Sequence, residues 1–364
     1  MKDFIIIGAG QAGLSMAYYL KKQNQDFLIV DANSETGEPW LKRWDSLKLF
    51  TPSEFNNLPG FPFPHKKGHY ASKYEVADYL KAFVSKFDIP IAFNQKIVNL
   101  KKEGDHFTIK SKDETFKAKN VVVSTGPFHT PFTPPCHQNI AKDIVQIHSE
   151  HYKSPKQLQD GDALVVGAGD SGVQILEEIS KTNRSVYFSG TTNIATLPQE
   201  FLGKTLWWWF KKIGFLNASK HSWVGKRIIN GRQPVIGTDV KKLFKKPNIH
   251  CVGRTLDATN KEIVFEKETI SSIRNIVWAT GFKPNFNWIE GEQLDTNSYP
   301  KNYRGVSQIK GLYYLGLPWL HTRGSATLGG VKKDAEYLSN YILNDATIAN
   351  PSLKEKNKEQ LISI

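Results

Sequence analysis

The sequence predicts an α/β chain built from two Rossmann-like dinucleotide-binding units, and three observations predict it. An apolar strand at residues 4–7 runs into Gly8-Ala9-Gly10-Gln11-Ala12-Gly13 and then a helical pattern. The arrangement returns 159 residues later as Ala163-Leu164-Val165-Val166-Gly167-Ala168-Gly169-Asp170-Ser171-Gly172. A second apolar strand, residues 27–30, ends in Asp31, 23 residues after Gly8.

Each element has a physical reason. Gly8 permits the tight turn, Gly10 lets a pyrophosphate approach the backbone, and Gly13 lets helix and strand pack closely, so the helix's positive end faces the phosphates. An acid at Asp31 accepts hydrogen bonds from a ribose 2′-hydroxyl. In the second unit the strand at 186–189 ends in Ser189, 22 residues after Gly167, where the first unit has its acid. With no carboxylate to repel a 2′-phosphate, NADPH is admissible there. Gly190, Thr191, Thr192 and Asn193 supply hydroxyls and an amide but no arginine. Arg184 or Lys204 is left to reach such a phosphate, and NADH stays open.

The 364 residues suffice for two domains with their own cores. The net charge of +13 is carried by scattered lysines, in runs no longer than pairs such as Lys241-Lys242 and Lys245-Lys246. That describes a solvated surface better than a nucleic-acid footprint. Cys136 and Cys251 form no C-x-x-C, so no dithiol centre and no metal site are read. Residues 4–20 are apolar enough to mimic a signal peptide, but a basic leader is missing and glycines interrupt them. A cytoplasmic location is expected.

After Asp31 the regular pattern breaks at Gly37-Glu38-Pro39-Trp40. A long loop then runs through Arg43-Trp44-Asp45-Ser46-Leu47-Lys48-Leu49-Phe50-Thr51-Pro52 to Phe61-Pro62-Phe63-Pro64. Its aromatics suit either a wall of the kind a flavin ring needs or a proline-stiffened loop packed on the core. A helix at about 73–87 and strands near 91–100 and 106–110 lead to a buried strand ending at Ser124-Thr125-Gly126. In the excursion 201–231, Trp207, Trp208 and Trp209 fan over about 200° of a helix, so they cannot share one core. Packing on the neighbouring domain, a lid over a substrate channel and contact with a membrane surface all stay open. A strand at 275–278 leads to Thr280-Gly281, and the last strand ends at Gly316-Leu317. Residues 322–330 open a helix reaching about 343, able to aim its positive end at a flavin carbonyl. From about 345 the tail is polar and expected to be mobile.

The two glycine motifs, Trp278-Ala279-Thr280-Gly281-Phe282 and the Leu47-Lys48-Leu49 to Phe61-Pro62-Phe63-Pro64 loop resemble the flavin-containing monooxygenases, above all the small bacterial members and the plant YUCCA type. The resemblance spans residues 1 to about 343. It implies an FAD domain at 1–156 that resumes at 274–343, an inserted NAD(P)H domain at 157–273 and a polar tail at 344–364. By the same resemblance Gly8, Gly10, Gln11, Ala12, Gly13 and Asp31 hold FAD, with Pro39, Trp40, Ile97, Thr125, Gly126, Gly281, Gly316 and Leu317. Gly167, Gly169, Asp170, Ser171 and Gly172, with Ser189 and Thr191, hold NADPH or NADH.

The chain departs from the family in two respects. Its F-x-G-x-x-x-H-x-x-x-Y signature keeps His148 and Tyr152 but has Lys142 and Ile144 in the first two places, and Phe50 replaces an asparagine that many animal members set beside the flavin. The implied chemistry is flavin reduction by NAD(P)H, addition of dioxygen at C4a, and transfer of one oxygen from the hydroperoxide to a sulfide, an amine or a carbonyl compound. No side-chain nucleophile is required. Phe50, Thr51, His321 and Arg323 are candidates for lining the flavin face; loop anchoring is the other account of His321 and Arg323. An NAD(P)H oxidase or flavin-dependent reductase on the same scaffold is the competing reading. The expected partners are a small molecule and dioxygen, without nucleic acid. The sequence sets no oligomeric state.

Overall fold

The computed structural model describes residues 1–231 and 233–349. Strand β1 (Lys2–Ile7) turns through the glycines into α1 (Gln11–Lys22), and β2 (Phe27–Val30) returns parallel to it, pairing Phe4 with Phe27 and Ile7 with Val30. A short helix, α2 (Glu38–Leu41), precedes the proline-rich loop, and α3 (Lys73–Phe87) closes it. Ser72 starts α3 with a reciprocal cap: its side chain accepts from the Glu75 N–H, and Glu75 Oε2 accepts from the Ser72 N–H at 2.7 Å. Val76, Ala77, Leu80 and Phe83 recur at helical spacing and are buried.

Strands β3 (Ile91–Ala92), β4 (Asn99–Glu103), β5 (His106–Lys110) and β6 (Thr115–Val123) follow. β6 lies parallel to β1, and the late strand Leu312–Tyr314 lies parallel to the other edge of β6. The central order is therefore Leu312–Tyr314, β6, β1, β2, β3. Ile5-Ile6-Ile7 and Val121-Val122-Val123 are continuous apolar runs because this parallel sheet is covered on both faces.

The chain leaves this unit at β7 (Thr130–Pro131) and comes back at Phe282–Lys283, the two segments pairing antiparallel. Between them lies a second parallel sheet containing β8 (Val145–His148), β9 (Asp162–Val166) and β10 (Val186–Ser189), with α4 (Asp170–Ile179) after β9. Its order is Ile249–Gly253, β10, β9, Ile273–Trp278, β8. The insertion is thus wider than the expected 157–273: β8 lies before that span, and Ile273–Trp278 runs past its end. Periodicity identifies a buried strand but not the sheet it joins. Trp278, 2% exposed, anchors this unit and donates its Nε1–H to Gln146 Oε1 at 3.1 Å.

The aromatic excursion opens with a hairpin, Glu200–Phe201 against Lys204–Thr205, and holds α5 (Leu206–Lys212) and α6 (Trp223–Asn230); α7 (Val240–Leu243) follows it. Near the end of the chain, α8 (Lys332–Ala349) starts later and runs further than expected. A capped 3-10 turn at Arg323–Ala326 comes first. A tight glycine contact follows, for a Cβ on Gly330 would stand 2.2 Å from the Gly324 carbonyl oxygen. The polar tail expected beyond Ala349 lies outside the described residues. Among those residues no helix is long and apolar enough to cross a membrane.

Candidate functional site

Both glycine turns sit at the carboxyl ends of central parallel strands, where open α/β sheets form their crevices. In the first, Gly8 has φ +111°, and Gly13 has no room for a side chain, since its Cβ would stand 1.9 Å from the Gly8 oxygen. Gly10 is different. Its φ of −77° suits any residue, and no described atom lies within 4 Å of a Cβ placed there. Neither conformation nor packing within the chain asks for glycine at this position, whereas a diphosphate seated against the uncapped start of α1 does. The second turn repeats the pattern. Gly167 has φ +126°, a Cβ on Gly172 would meet the Gly167 oxygen at 2.0 Å, and Gly169, at φ −85°, faces open space before an α4 that no side chain caps.

The surroundings of the first turn are built by long-range contacts. Asp31 is buried; its Oδ2 accepts from the Ala9 N–H at 2.5 Å and its Oδ1 from the Asn33 N–H at 2.7 Å. The acid expected to take a ribose hydroxyl thus also braces the turn; with the Asn33 amide also donating to Oδ1 at 2.8 Å, one lone pair, on Oδ2, is left for a ligand. Ser124 Oγ reaches the Ile7 and Gly8 carbonyl oxygens, and Thr125 Oγ1 lies 3.0 Å from His129 Nε2. Gly126 and Gly281, at φ +72° and +80°, have open space beside them. Gly316 lies against Ala12, with Leu317 buried beyond it, while Trp40 and Ile97 lie half-buried on the first core and Pro39 in the first turn of α2.

Around the second turn three expectations change. Ser189 is buried with its hydroxyl 2.8 Å from that of Thr255, so it faces a neighbouring strand and not the crevice. Arg184 donates to the Gln159 and Gly161 carbonyl oxygens, at the amino end of β9. In a parallel sheet that end is opposite the glycine turn, so Arg184 cannot serve a phosphate there. Lys204 stands 6.0 Å from the Trp208 ring, within the excursion. Thr191 is exposed and its Oγ1 accepts from the Asn193 N–H. One cation at this end was not singled out by the sequence: Arg254, 4.0 Å from Glu266, directly follows Gly253, which pairs with Ser189 at the carboxyl end of the sheet. The signal was a strand ending in Gly-Arg one place along from β10.

The two turns converge on the loop 322–330. Gln11, in the first turn of α1, directs its amide at the Ala326 carbonyl oxygen at 3.5 Å. From the other unit Asp170, in the first turn of α4, lies within electrostatic range of Arg323. Burial of its carboxyl pushes the Asp170 pKa up, while the Ile236 N–H and the Arg323 guanidinium pull it back. Burial lowers Arg323 in turn, opposed by Asp170. Phe50 stacks on Trp207 at 6.1 Å, and its carbonyl oxygen accepts from Trp207 Nε1–H at 3.0 Å. Beside it the buried Thr51 donates to Asn56 Oδ1 at 2.6 Å, and Asn56 returns its amide to the Thr51 oxygen. Asn56 was not singled out by the sequence; Gly329 packs against it from the opposite segment. His321 does not join this group. It lines a separate cavity of about 410 Å³ with His221, Tyr303, Arg304 and Tyr337, which contains none of Phe50, Thr51 and Arg323.

The tryptophans split three ways, as the helical rotation requires. Trp207 packs on Phe50 and Phe55 of the first unit, Trp208 is exposed, and Trp209 donates to the Phe201 carbonyl oxygen. Another cluster escaped the sequence reading, which assigned no metal: His65, His69 and Glu75 bring their ligand atoms together near the start of α3.

His148 and Tyr152, the surviving half of the family signature, hold the crossover. Nε2–H of His148 donates to the Gly281 carbonyl oxygen at 3.0 Å, while Nδ1 accepts from the Glu150 N–H at 3.1 Å. Tyr152 donates to Glu178 Oε2 on α4 at 3.0 Å. Arg43 lies over the Phe128 and Phe282 rings of the two crossing segments. Burial lowers the His148 pKa, against the Gly281 hydrogen bond that raises it. A histidine whose folded pKa is depressed takes up a proton on unfolding, so its contribution is complete above the ordinary value of 6.5 and declines as pH falls below it. The loss is at most about 1.4 kcal/mol per pH unit. His148→Gln can keep both hydrogen bonds without titrating. Thermal melts between pH 7 and 5 should therefore fall less steeply for this variant than for the parent; parallel curves would contradict the assignment.

The family signature described as pyridine nucleotide-disulphide oxidoreductase matches residues 5–200. An uncharacterized oxidoreductase, CzcO-like, from Geobacillus kaustophilus is 42% identical, with 94% of this chain and 98% of that protein covered. A probable indole-3-pyruvate monooxygenase, YUCCA1, from Arabidopsis thaliana is 26% identical, over 89% of this chain and 86% of its own. The fold matches a flavin-containing monooxygenase from Stenotrophomonas maltophilia with a TM-score of 0.78 at 22% identity, covering 95% and 99% of the two chains.

Proposed function

Because the chain belongs to the pyridine nucleotide-disulphide oxidoreductase family, among its flavin-containing monooxygenases, we propose that it holds FAD at the first glycine turn and NADPH at the second and transfers one atom of dioxygen to a small sulfide, amine or carbonyl compound. One observation carries this reading: the starts of α1 and α4 both look onto the loop 322–330, where the Gln11 amide reaches the Ala326 carbonyl oxygen and Asp170 lies within electrostatic range of Arg323. Two dinucleotides lying on these turns would bring their reactive rings toward one place. FAD bound there supplies the hydride acceptance and oxygen activation that side chains lack.

The chain's own residues do the rest. Gly10 and Gly169 admit the diphosphates to the backbone, and the uncapped N–H groups of α1 and α4 receive them. Arg323 supplies positive charge at the meeting point. Phe50, stacked on Trp207, and the buried Thr51–Asn56 pair form a wall that keeps water out. Arg254 is the candidate for a 2′-phosphate and so for NADPH over NADH. A cytoplasmic location belongs to the same reading, supported by two cysteines that are both free.

Those cysteines also favour the oxygenase over a dithiol reductase, since Cys136 lies in a turn at Pro135–Asn139 and Cys251 in the strand Ile249–Gly253, far apart in sequence and outside both glycine turns. The test supplies NADPH and oxygen with a panel of sulfides, amines and ketones, and counts oxygenated product and peroxide per NADPH. Product approaching one per NADPH with any member supports oxygen transfer. Peroxide accounting for all NADPH with every member would leave the oxidase reading in its place.

A further inference from the structure

The loop after Phe61-Pro62-Phe63-Pro64 carries His65 and His69, and Glu75 lies in the first turn of α3. Their donor atoms all lie within 4.8 Å of one another. Nε2 of His69 stands 2.8 Å, and Nε2 of His65 3.2 Å, from the same Glu75 oxygen, Oε1. Donors on a tetrahedral ion at about 2.0–2.1 Å stand about 3.3 Å apart; both histidine–glutamate separations lie within about half an ångström of that, and the two imidazole donors are no more than 4.8 Å apart.

The supports of the three ligands are fixed. Glu75 Oε2 is committed to the Ser72 N–H at 2.7 Å, which leaves Oε1 turned to the imidazoles. The His69 carbonyl oxygen accepts from both the N–H and Oγ of Ser53, and the Gly68 N–H donates to Glu54 Oε2. The two rings lie 4.5 Å apart between centroids, each with its Nε2 at the one carboxylate oxygen. About a third of each side chain is open to solvent, which provides an entry path and room for water as a further ligand.

We propose that His65, His69 and Glu75 form a binding site for one divalent first-row transition ion of the zinc type, completed by water. Two imidazoles and one carboxylate suit such an ion and not magnesium or calcium, which prefer oxygen alone. The site lies outside both glycine turns and does not depend on the proposed oxygenase activity. Its place in the fold gives it a task. The Leu49 N–H donates to the Ala71 carbonyl oxygen at 2.8 Å, and Lys48 bridges to Ser72, so an ion between loop and helix stiffens the segment that carries Phe50 and Thr51.

The experiment uses the full chain with any affinity tag removed. Zn²⁺ is titrated by calorimetry, and Co²⁺ by its visible absorption, into the parent and into His65→Ala, His69→Ala and Glu75→Gln, the last of which retains a capping side chain. One ion per chain is expected, with affinity reduced at least about tenfold and the Co²⁺ bands lost in each variant. His221→Ala, at the other imidazole pair, should bind as the parent does, and circular dichroism verifies that each variant is folded. A parent that binds no stoichiometric ion, or folded His65→Ala and His69→Ala proteins with unchanged affinity and spectra, would overturn the proposal and leave a hydrogen-bonded cluster only.

Discussion

Gly10→Val is expected to yield a folded protein that emerges from purification without flavin. Neither backbone conformation nor packing requires glycine at this position. At φ −77° a valine meets no backbone strain, and beyond its chain neighbours no described atom lies within 4 Å of the new Cβ. The branched side chain occupies only the space that the diphosphate needs. Obstructing that approach should cost about 3 kcal/mol or more, roughly a hundredfold in affinity. The ratio of flavin to protein absorbance reads the loss, and circular dichroism reads the fold. Gly13→Ala is the contrast: its Cβ would meet the Gly8 oxygen at 1.9 Å, so that variant should lose structure together with flavin. A yellow, fully loaded Gly10→Val protein would sink the assignment of the first turn.

Gly169→Val should separate the two nucleotides. It has the same physical licence, at φ −85° beside open space, but in the other unit. The variant is expected to purify yellow, to be bleached normally by dithionite, and to respond to NADPH only at concentrations about a hundredfold higher than the parent requires. Anaerobic titration followed at the flavin band measures this. Loss of flavin from Gly169→Val, or unimpaired reduction by NADPH, would contradict the division of labour between the turns.

What the sequence could and could not disclose follows the range of the interactions concerned. The glycine turns and α3 were legible because strand, turn, cap and helix are written within twenty residues of one another. The sheet partners of β8 and Ile273–Trp278 were not, since a parallel strand buried on both faces looks alike in either unit. Arg184 looked available because it precedes β10 closely, yet strand direction carries it to the wrong end. The pair Thr51 with Asn56, the approach of Asp170 toward Arg323 and the cluster His65, His69 and Glu75 depend on how a loop folds back or two units meet. Composition and spacing contain no such information.

The crossing of Thr130–Pro131 with Phe282–Lys283 bears on the order in which the molecule assembles. Strand β6 must find Leu312–Tyr314 about 190 residues further along, and closing so long a flexible loop costs about 4 to 5 kcal/mol from its length alone. Once the insertion has its own sheet, its two ends lie side by side, and the loop shrinks to the short segments flanking the crossing. The second unit, once folded, thus acts as a staple for the first and lowers the loop-closure cost of completing the flavin-side sheet.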